Sequence, residues 1–312
     1  MTSRVRRIAT KGRTVRDFYQ GGPRRTRALR HGFGWFRLAA LVVGATVFLL
    51  AAASGAGAAS QSATGGTIVA SLRYTGPYFH SRHAHLTISW SGRVIYSQPV
   101  RSQWCGNQCW PDTFAAGNTA LHVVRLQAGG PPEVVLDLYS GGAHCCFIDQ
   151  VFSVQPASHS VRKSEINFGD PAARLAPIGV GGASDFLTAD DSFAYAFTDF
   201  AASGLPIEVL SFTHFAFRNV TDSFPKLIGA DARRWQGAFQ AMVSGHFRDT
   251  VGVVAAWAAD EDRLGRFSVV NHFLTEEMKA GRLNSAMNPT QQSGQRYVVN
   301  LHRFLLEHGY AK

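Results

Sequence analysis

The chain has 312 residues, with 31 Lys and Arg against 21 Asp and Glu, a net charge of +10. Residues 1–58 hold eleven of the bases and a single acid, Asp17, which leaves twenty bases and twenty acids in the remainder. The basic balance therefore belongs to a leader, and the neutral body gives no electrostatic ground for a nucleic-acid partner.

The leader has three zones. Arg4 to Arg37 are the basic stretch, Leu38 to Ala53 an apolar run, and Ser54-Gly55-Ala56-Gly57-Ala58 a small-residue end. That layout predicts a secretory signal peptide cleaved after Ala58. Uncleaved, the run is short against the roughly 20 residues a spanning helix needs. It would then be a single transmembrane anchor with its basic end in the cytoplasm. Either way residues 59–312 are extracytoplasmic, secreted or N-terminally membrane-anchored.

Residues 59–66, made of Ala, Ser, Gln, Thr and Gly, read as a flexible linker. From 67 to 224 the pattern is β-rich. Leu86, Ile88 and Trp90 alternate with polar residues, and Ser91-Gly92 turns the chain into Val94-Ile95-Tyr96, a hairpin signature. Val134 to Leu136, Phe147 to Val154, Phe193 to Phe197 and Ile207 to Phe212 are further strand candidates. The four cysteines, Cys105, Cys109, Cys145 and Cys146, read as disulfides in an oxidising compartment. Adjacent strand residues point to opposite faces, which favours two bridges from the 105–109 loop to the Cys145-Cys146 strand. The alternative is a Cys105–Cys109 loop with a Cys145–Cys146 pair.

Two stretches echo each other at an offset of 52. Leu126 to Val134 aligns with Ile178 to Phe186, each with a Gly-Gly turn followed by an acid and a strand. A period near fifty built of short strands is the pattern of propeller-type repeats, and two copies predict a sandwich or a partial-propeller-like assembly. The run Pro132 to Cys146, with Ala189 to Phe197 and Ala202 to Ile207, resembles uncharacterised secreted bacterial proteins with degenerate FG-GAP or VCBS-type (integrin-alpha-like) repeats, over about residues 68–312. That resemblance implies an oxygen-rich calcium turn ahead of the strand. This chain has Arg125, Gln127 and Gly129 in the first copy and Pro177, Gly179 and Gly181 in the second where the acids would fall. Calcium needs several oxygen ligands, so the expectation is a turn without its metal, and no cofactor.

Residues 225–312 turn helical. Trp235, Ala238, Phe239, Met242 and Val243 share one face, with Asp231 as N-cap and Gly245 as stop. Three more helices are predicted over about 249–264, 268–280 and 293–309, as a small bundle or lying against the sheet. The fold class is α+β, an N-terminal β-rich region followed by about four helices. Asp260, near a helix C-terminus where the dipole disfavours an anion, predicts a partner among Arg233, Arg234 or Arg263.

Chemical signals are few. His80, His83 and His85 read as solvated edge-strand histidines, because no nearby acid completes a metal site. Glu133, Asp137, Asp190 and Asp191 are the candidate binding residues: such acids cap turns, contact a ligand, or act in pairs on a glycosidic bond. Aromatic residues crowd positions 74–110 and suit a sheet core or stacking on sugar rings. The expected function is a disulfide-stabilised, non-catalytic binding or structural protein whose partner is a cell-envelope glycan or protein. The alternatives are a secreted carboxylate-dependent hydrolase and a thiol redox or metal-binding site at Cys145-Cys146.

Overall fold

The structure, a computed structural model, describes residues 58–76, 81–113 and 119–311. The signal or anchor segment and His80 lie outside the described residues. The architecture is α+β: three antiparallel sheets, then four helices.

The first sheet is a meander of β1 (Ala58–Gly65), β2 (Ile68–Thr75), β3 (Arg82–Trp90) and β4 (Arg93–Pro99). The stretch expected as a linker, residues 59–66, is mostly strand. Residues 58–65 pair along their whole length with β2, from Ala58 opposite Thr75 to Gly65 opposite Ile68. Their small and polar side chains supply no apolar pattern, and the strand is held by backbone bonds and by Gln61, which accepts from the Ala120 N–H at 2.8 Å.

The second sheet contains β5 (Trp110–Pro111) and β6 (Leu121–Val124) side by side on one edge of β7 (Glu133–Gly142), then β8 (Cys145–Gln155) and β9 (Ser160–Gly169). Val134, Leu136 and Leu138 of β7 pack with Ile68, Leu72, Leu86 and Ile88 of the first sheet. Val135 and Val151 point the other way and pack with Phe186, Leu210 and Phe212. This sheet is thus covered on both faces, which is why β7 carries the unbroken apolar run Val134-Val135-Leu136. Each fully buried side chain of that size contributes about 1.5–3 kcal/mol.

The third sheet is the meander β10 (Arg174–Ala176), β11 (Asp185–Ala189), β12 (Ile207–Thr213) and β13 (Ala216–Asn219). The two Gly-Gly turns at an offset of 52 share a backbone feature. Gly129 and Gly130, and Gly181 and Gly182, all take left-handed φ of 68–94°. The strands after these turns begin at Glu133 and Asp185. The two turns meet where the Ser184 N–H donates to the Arg125 carbonyl at 2.7 Å.

Phe193–Phe197, expected as a strand, runs from the end of one capped 3-10 turn through irregular turn toward a second. Asp190 caps a 3-10 turn over Asp191–Phe193 and Asp199 one over Phe200–Ala202. The turns deliver Phe193 and Phe197 into the helical core against Phe304, Tyr310 and Tyr297.

The helices are α1 (Pro225–Ser244), α2 (Val251–Arg263), α3 (Phe267–Lys279) and α4 (Gly294–Glu307). Helix α1 starts six residues before the expected cap, with Pro225 at its first position, where a missing N–H costs nothing. Helix α2 is buried nearly all round, and Tyr297 of α4 donates to the Val251 carbonyl at its start, 2.8 Å away. Among the described residues, no helix is long and apolar enough to cross a membrane.

Candidate functional site

Three of the four acids singled out in the sequence hold the backbone. Buried Glu133 accepts from the Leu126 N–H at 2.9 Å and the Gln127 side-chain amide at 2.7 Å, closing the first Gly-Gly turn. Asp190 accepts from the Ser192 N–H at 2.9 Å and from the Tyr310 hydroxyl at 2.6 Å. Asp191 accepts from the Asp170 N–H at 3.1 Å. This is the capping use that short acids serve in turns.

Asp137 differs. It lies opposite Asp149 across β7 and β8, and His122 on β6 reaches it at 2.9 Å. Asp112, just past β5, donates its N–H to the Asp137 carbonyl. Four ionisable groups thus gather around the middle of β7, where β5 and β6 meet along its edge, all but His122 buried. Burial pushes the Asp149 carboxyl well above its ordinary range, and the charges of Asp137 and Asp112 push the same way. The hydrogen bond to Asp137 raises His122. Burial raises Asp137 too, against the pull of His122. Asp112, His122 and Asp149 were not singled out in the sequence, since only the strand register brings them to Asp137. Among the described residues, no three His, Cys, Asp or Glu side chains converge as a metal site.

An aromatic surface begins beside this cluster. Trp110 packs on Tyr139 with ring centres 6.0 Å apart, and Tyr139 on Phe147 at 4.9 Å. Burial, then the charges of Asp170 and Asp112, raise the Tyr139 hydroxyl. Past the β7–β8 turn, exposed His144 lies 4.2 Å from the Phe200 ring and 6.2 Å from Tyr195. Tyr195 is 57% exposed and has a left-handed φ of 61°. Such a backbone costs a non-glycine residue about 1–2 kcal/mol. It is held by the Tyr195 N–H bond to the Ser203 hydroxyl, 3.1 Å.

Carboxylates edge this surface. Burial raises both Asp170 and Asp191; His144 lowers Asp170, and each acid stands near the other. Gly169 has φ 77°, and a Cβ there would overlap the Asp191 carboxyl. The chain must pass this close for Asp191 to reach the Asp170 N–H.

The cysteines sit at bonding distance within each segment, Cys105 with Cys109 and Cys145 with Cys146. This is the second of the two pairings considered, not the cross-link between loop and strand. The Cys145–Cys146 pair abuts His144, with Cys145 exposed and Cys146 buried.

A separate cluster joins the third sheet to the helices. Asp231 is not an N-cap: inside α1 it accepts from the Ile207 N–H and the Trp235 indole, each at 3.0 Å, and from Arg234. Asp260, expected to meet an arginine, is wholly buried, and no hydrogen-bond donor among the described residues reaches either of its oxygens. Arg263 instead lies over the Tyr310 ring and donates to the Ile207 carbonyl. Burial, with Asp190 nearby, pushes Glu208 up to about 7.

No family model matches the chain. Over 132 residues it is 24% identical to the "Uncharacterized protein y4bJ" of Sinorhizobium fredii (strain NBRC 101917 / NGR234), a stretch covering 42% of this chain and 20% of that protein. The chain therefore matches about a fifth of that relative's length, and the relative's name carries no activity. No solved structure matches.

Proposed function

We propose that the chain is an exported, disulfide-stabilised, non-catalytic binding protein of the cell envelope or extracellular space, and that the surface formed by His144, Tyr195, Phe200 and the Cys145–Cys146 pair takes a glycan. The observation that carries this reading is the strained, exposed Tyr195 beside His144 and Phe200. Backbone strain at an exposed aromatic costs stability without burying the ring, and such strain concentrates at binding sites. Flat apolar faces suit the C–H faces of sugar rings, and Asp170 and Asp191 at the rim are acceptors for sugar hydroxyls. The capping roles of Glu133, Asp190 and Asp191 favour binding over hydrolysis, because turn-holding already accounts for these acids. Export rests on the leader pattern and on the paired cysteines. Degenerate integrin-alpha-like repeats remain the repeat reading for the two Gly-Gly copies.

A second reading, a carboxylate-dependent hydrolase, is favoured by the raised acids around Asp137 and His122, since perturbed acids gather at catalytic sites. The third, thiol chemistry at Cys145-Cys146, needs free sulfurs, and each has a partner within bonding distance.

The test is co-sedimentation of the protein with purified peptidoglycan sacculi, for wild type, Tyr195→Ala and Asp137→Asn. Retention of wild type and of Asp137→Asn, with roughly tenfold weaker retention of Tyr195→Ala, supports a glycan-binding surface. Release of soluble sugar by wild type and not by Asp137→Asn would replace it with the hydrolase.

A further inference from the structure

The turn between β7 and β8 carries both the Cys145–Cys146 pair and His144 of the glycan surface. We propose that this pair is a redox switch on that surface. Closed as a disulfide, it holds the turn that presents His144; opened by a dithiol, it releases the turn and the ligand. The inference rests on the glycan reading above and adds its regulation.

Neighbouring residues of a regular strand point to opposite faces, so sulfurs joined side by side fit only where the ladder is interrupted. The ladder is interrupted at this pair. Tyr139 lies opposite Phe147 and Gly142 opposite Cys145, which leaves Ser140 and Gly141 of β7 facing the single residue Cys146. Gly141 takes a left-handed φ of 90°, and a Cβ on Gly142 would meet the Cys145 carbonyl at 2.4 Å. The Cys146 N–H donates to the Ser140 hydroxyl instead of to a strand carbonyl.

Aromatic rings touch this turn on two sides. A Cβ on Gly141 would lie 3.1 Å from the Trp110 ring, and the His144 ring is 4.2 Å from Phe200. Once the S–S bond is gone, Cys145 and Cys146 are free to take opposite faces and the ladder to run regularly through them. That shift draws His144 off Phe200 and breaks up the surface that the ligand covers.

Access fixes the order of the chemistry. Cys145 is exposed and Cys146 is buried, so an incoming thiolate attacks the Cys145 sulfur. A mixed disulfide forms there as the Cys145–Cys146 bond breaks, and the Cys146 sulfur leaves as a thiolate that takes up a proton. The second thiol of the same dithiol then displaces the Cys145 sulfur. In total two electrons and two protons pass from the dithiol, which becomes a disulfide, to the pair, which becomes two thiols. The Cys105–Cys109 pair is more protected, because Cys109 is buried in the core of the first two sheets and Cys105 packs against that core.

Co-sedimentation with purified peptidoglycan sacculi tests the switch on oxidised protein, on protein treated with dithiothreitol under native conditions, and after reoxidation. Alkylation and peptide mapping are run on each sample. The expected result is labelling of Cys145 and Cys146 after dithiothreitol, retention weakened roughly tenfold, and recovery on reoxidation. The double variant Cys145→Ser with Cys146→Ser should bind as weakly as the reduced wild type in either condition. Unchanged retention with both cysteines labelled overturns the proposal while leaving the glycan reading in place. So does a folded double variant that binds like the oxidised wild type, or a pair that dithiothreitol leaves unlabelled. If the variant does not fold, the oxidised and reduced wild type decide. No retention of the oxidised wild type would remove the glycan reading, and the switch with it.

Discussion

Asp260→Asn should make this protein more stable at neutral pH. Asp260 sits inside α2 with no exposed surface, and neither oxygen meets a donor among the described residues. Its neighbour Asp231 is already held by the Ile207 N–H, the Trp235 indole and Arg234. Burial first, then the charge of Asp231 and a hydrogen bond to it that only the protonated acid can give, raise Asp260 from an ordinary 3.8 to about 10, against the pull of Arg263 and Arg234. At pH 7 folding therefore takes up a proton that the unfolded chain lacks. At about 1.4 kcal/mol per pH unit, the gap between 3.8 and 7 amounts to about 4 kcal/mol. The sign follows from the raised folded value. The stabilising contribution is complete below pH 3.8 and is lost progressively as pH rises to about 10. Asparagine carries the donor toward Asp231 without proton uptake. Urea unfolding of wild type and variant between pH 4 and 8 reads the difference. The curves should nearly meet at pH 4, and the variant should gain up to about 4 kcal/mol by pH 7. Parallel curves, or a variant less stable throughout, would refute the reasoning.

Gly169→Ala should lower stability by about 2–3 kcal/mol in the same assay. The left-handed backbone costs about 1–2 kcal/mol, and displacing Asp191 from the Asp170 N–H about 1 more; a loss below roughly 0.5 kcal/mol would contradict that packing. Intact mass after alkylation should show no labelled thiol before reduction and four after it, with a chain starting near Ala59. Labelling of Cys145 or Cys146 without reduction would bring thiol or metal chemistry forward.

Segments whose apolar spacing matches one regular element were legible. Val134 to Leu136 reads as the continuous apolar run of a strand buried on both faces, and the apolar faces of α3 and α4 follow the 3.6 period closely. Residues 58–65 were not, because a strand of Ala, Ser, Gln and Thr has no apolar alternation and is specified by its partner β2. Phe193–Phe197 misled for the opposite reason: alternating aromatics that look like a strand are anchors set by two capped turns. The acids were visible but their partners were not. Nothing local says that Glu133 closes its turn onto Leu126, or that Asp231 reaches across to Ile207. His144, Tyr195 and Phe200 meet only through the fold, 51 or more positions separating the histidine from the others.

The most direct test of the account is equilibrium binding of fluorescent peptidoglycan fragments to the protein recovered from the envelope or medium of cells that make it, with Tyr195→Ala and His144→Ala alongside. The account predicts saturable binding without turnover, weakened roughly tenfold or more by either substitution while the unfolding curves stay unchanged. Undiminished binding by both variants, or progressive cleavage of the fragments by wild type, would contradict it.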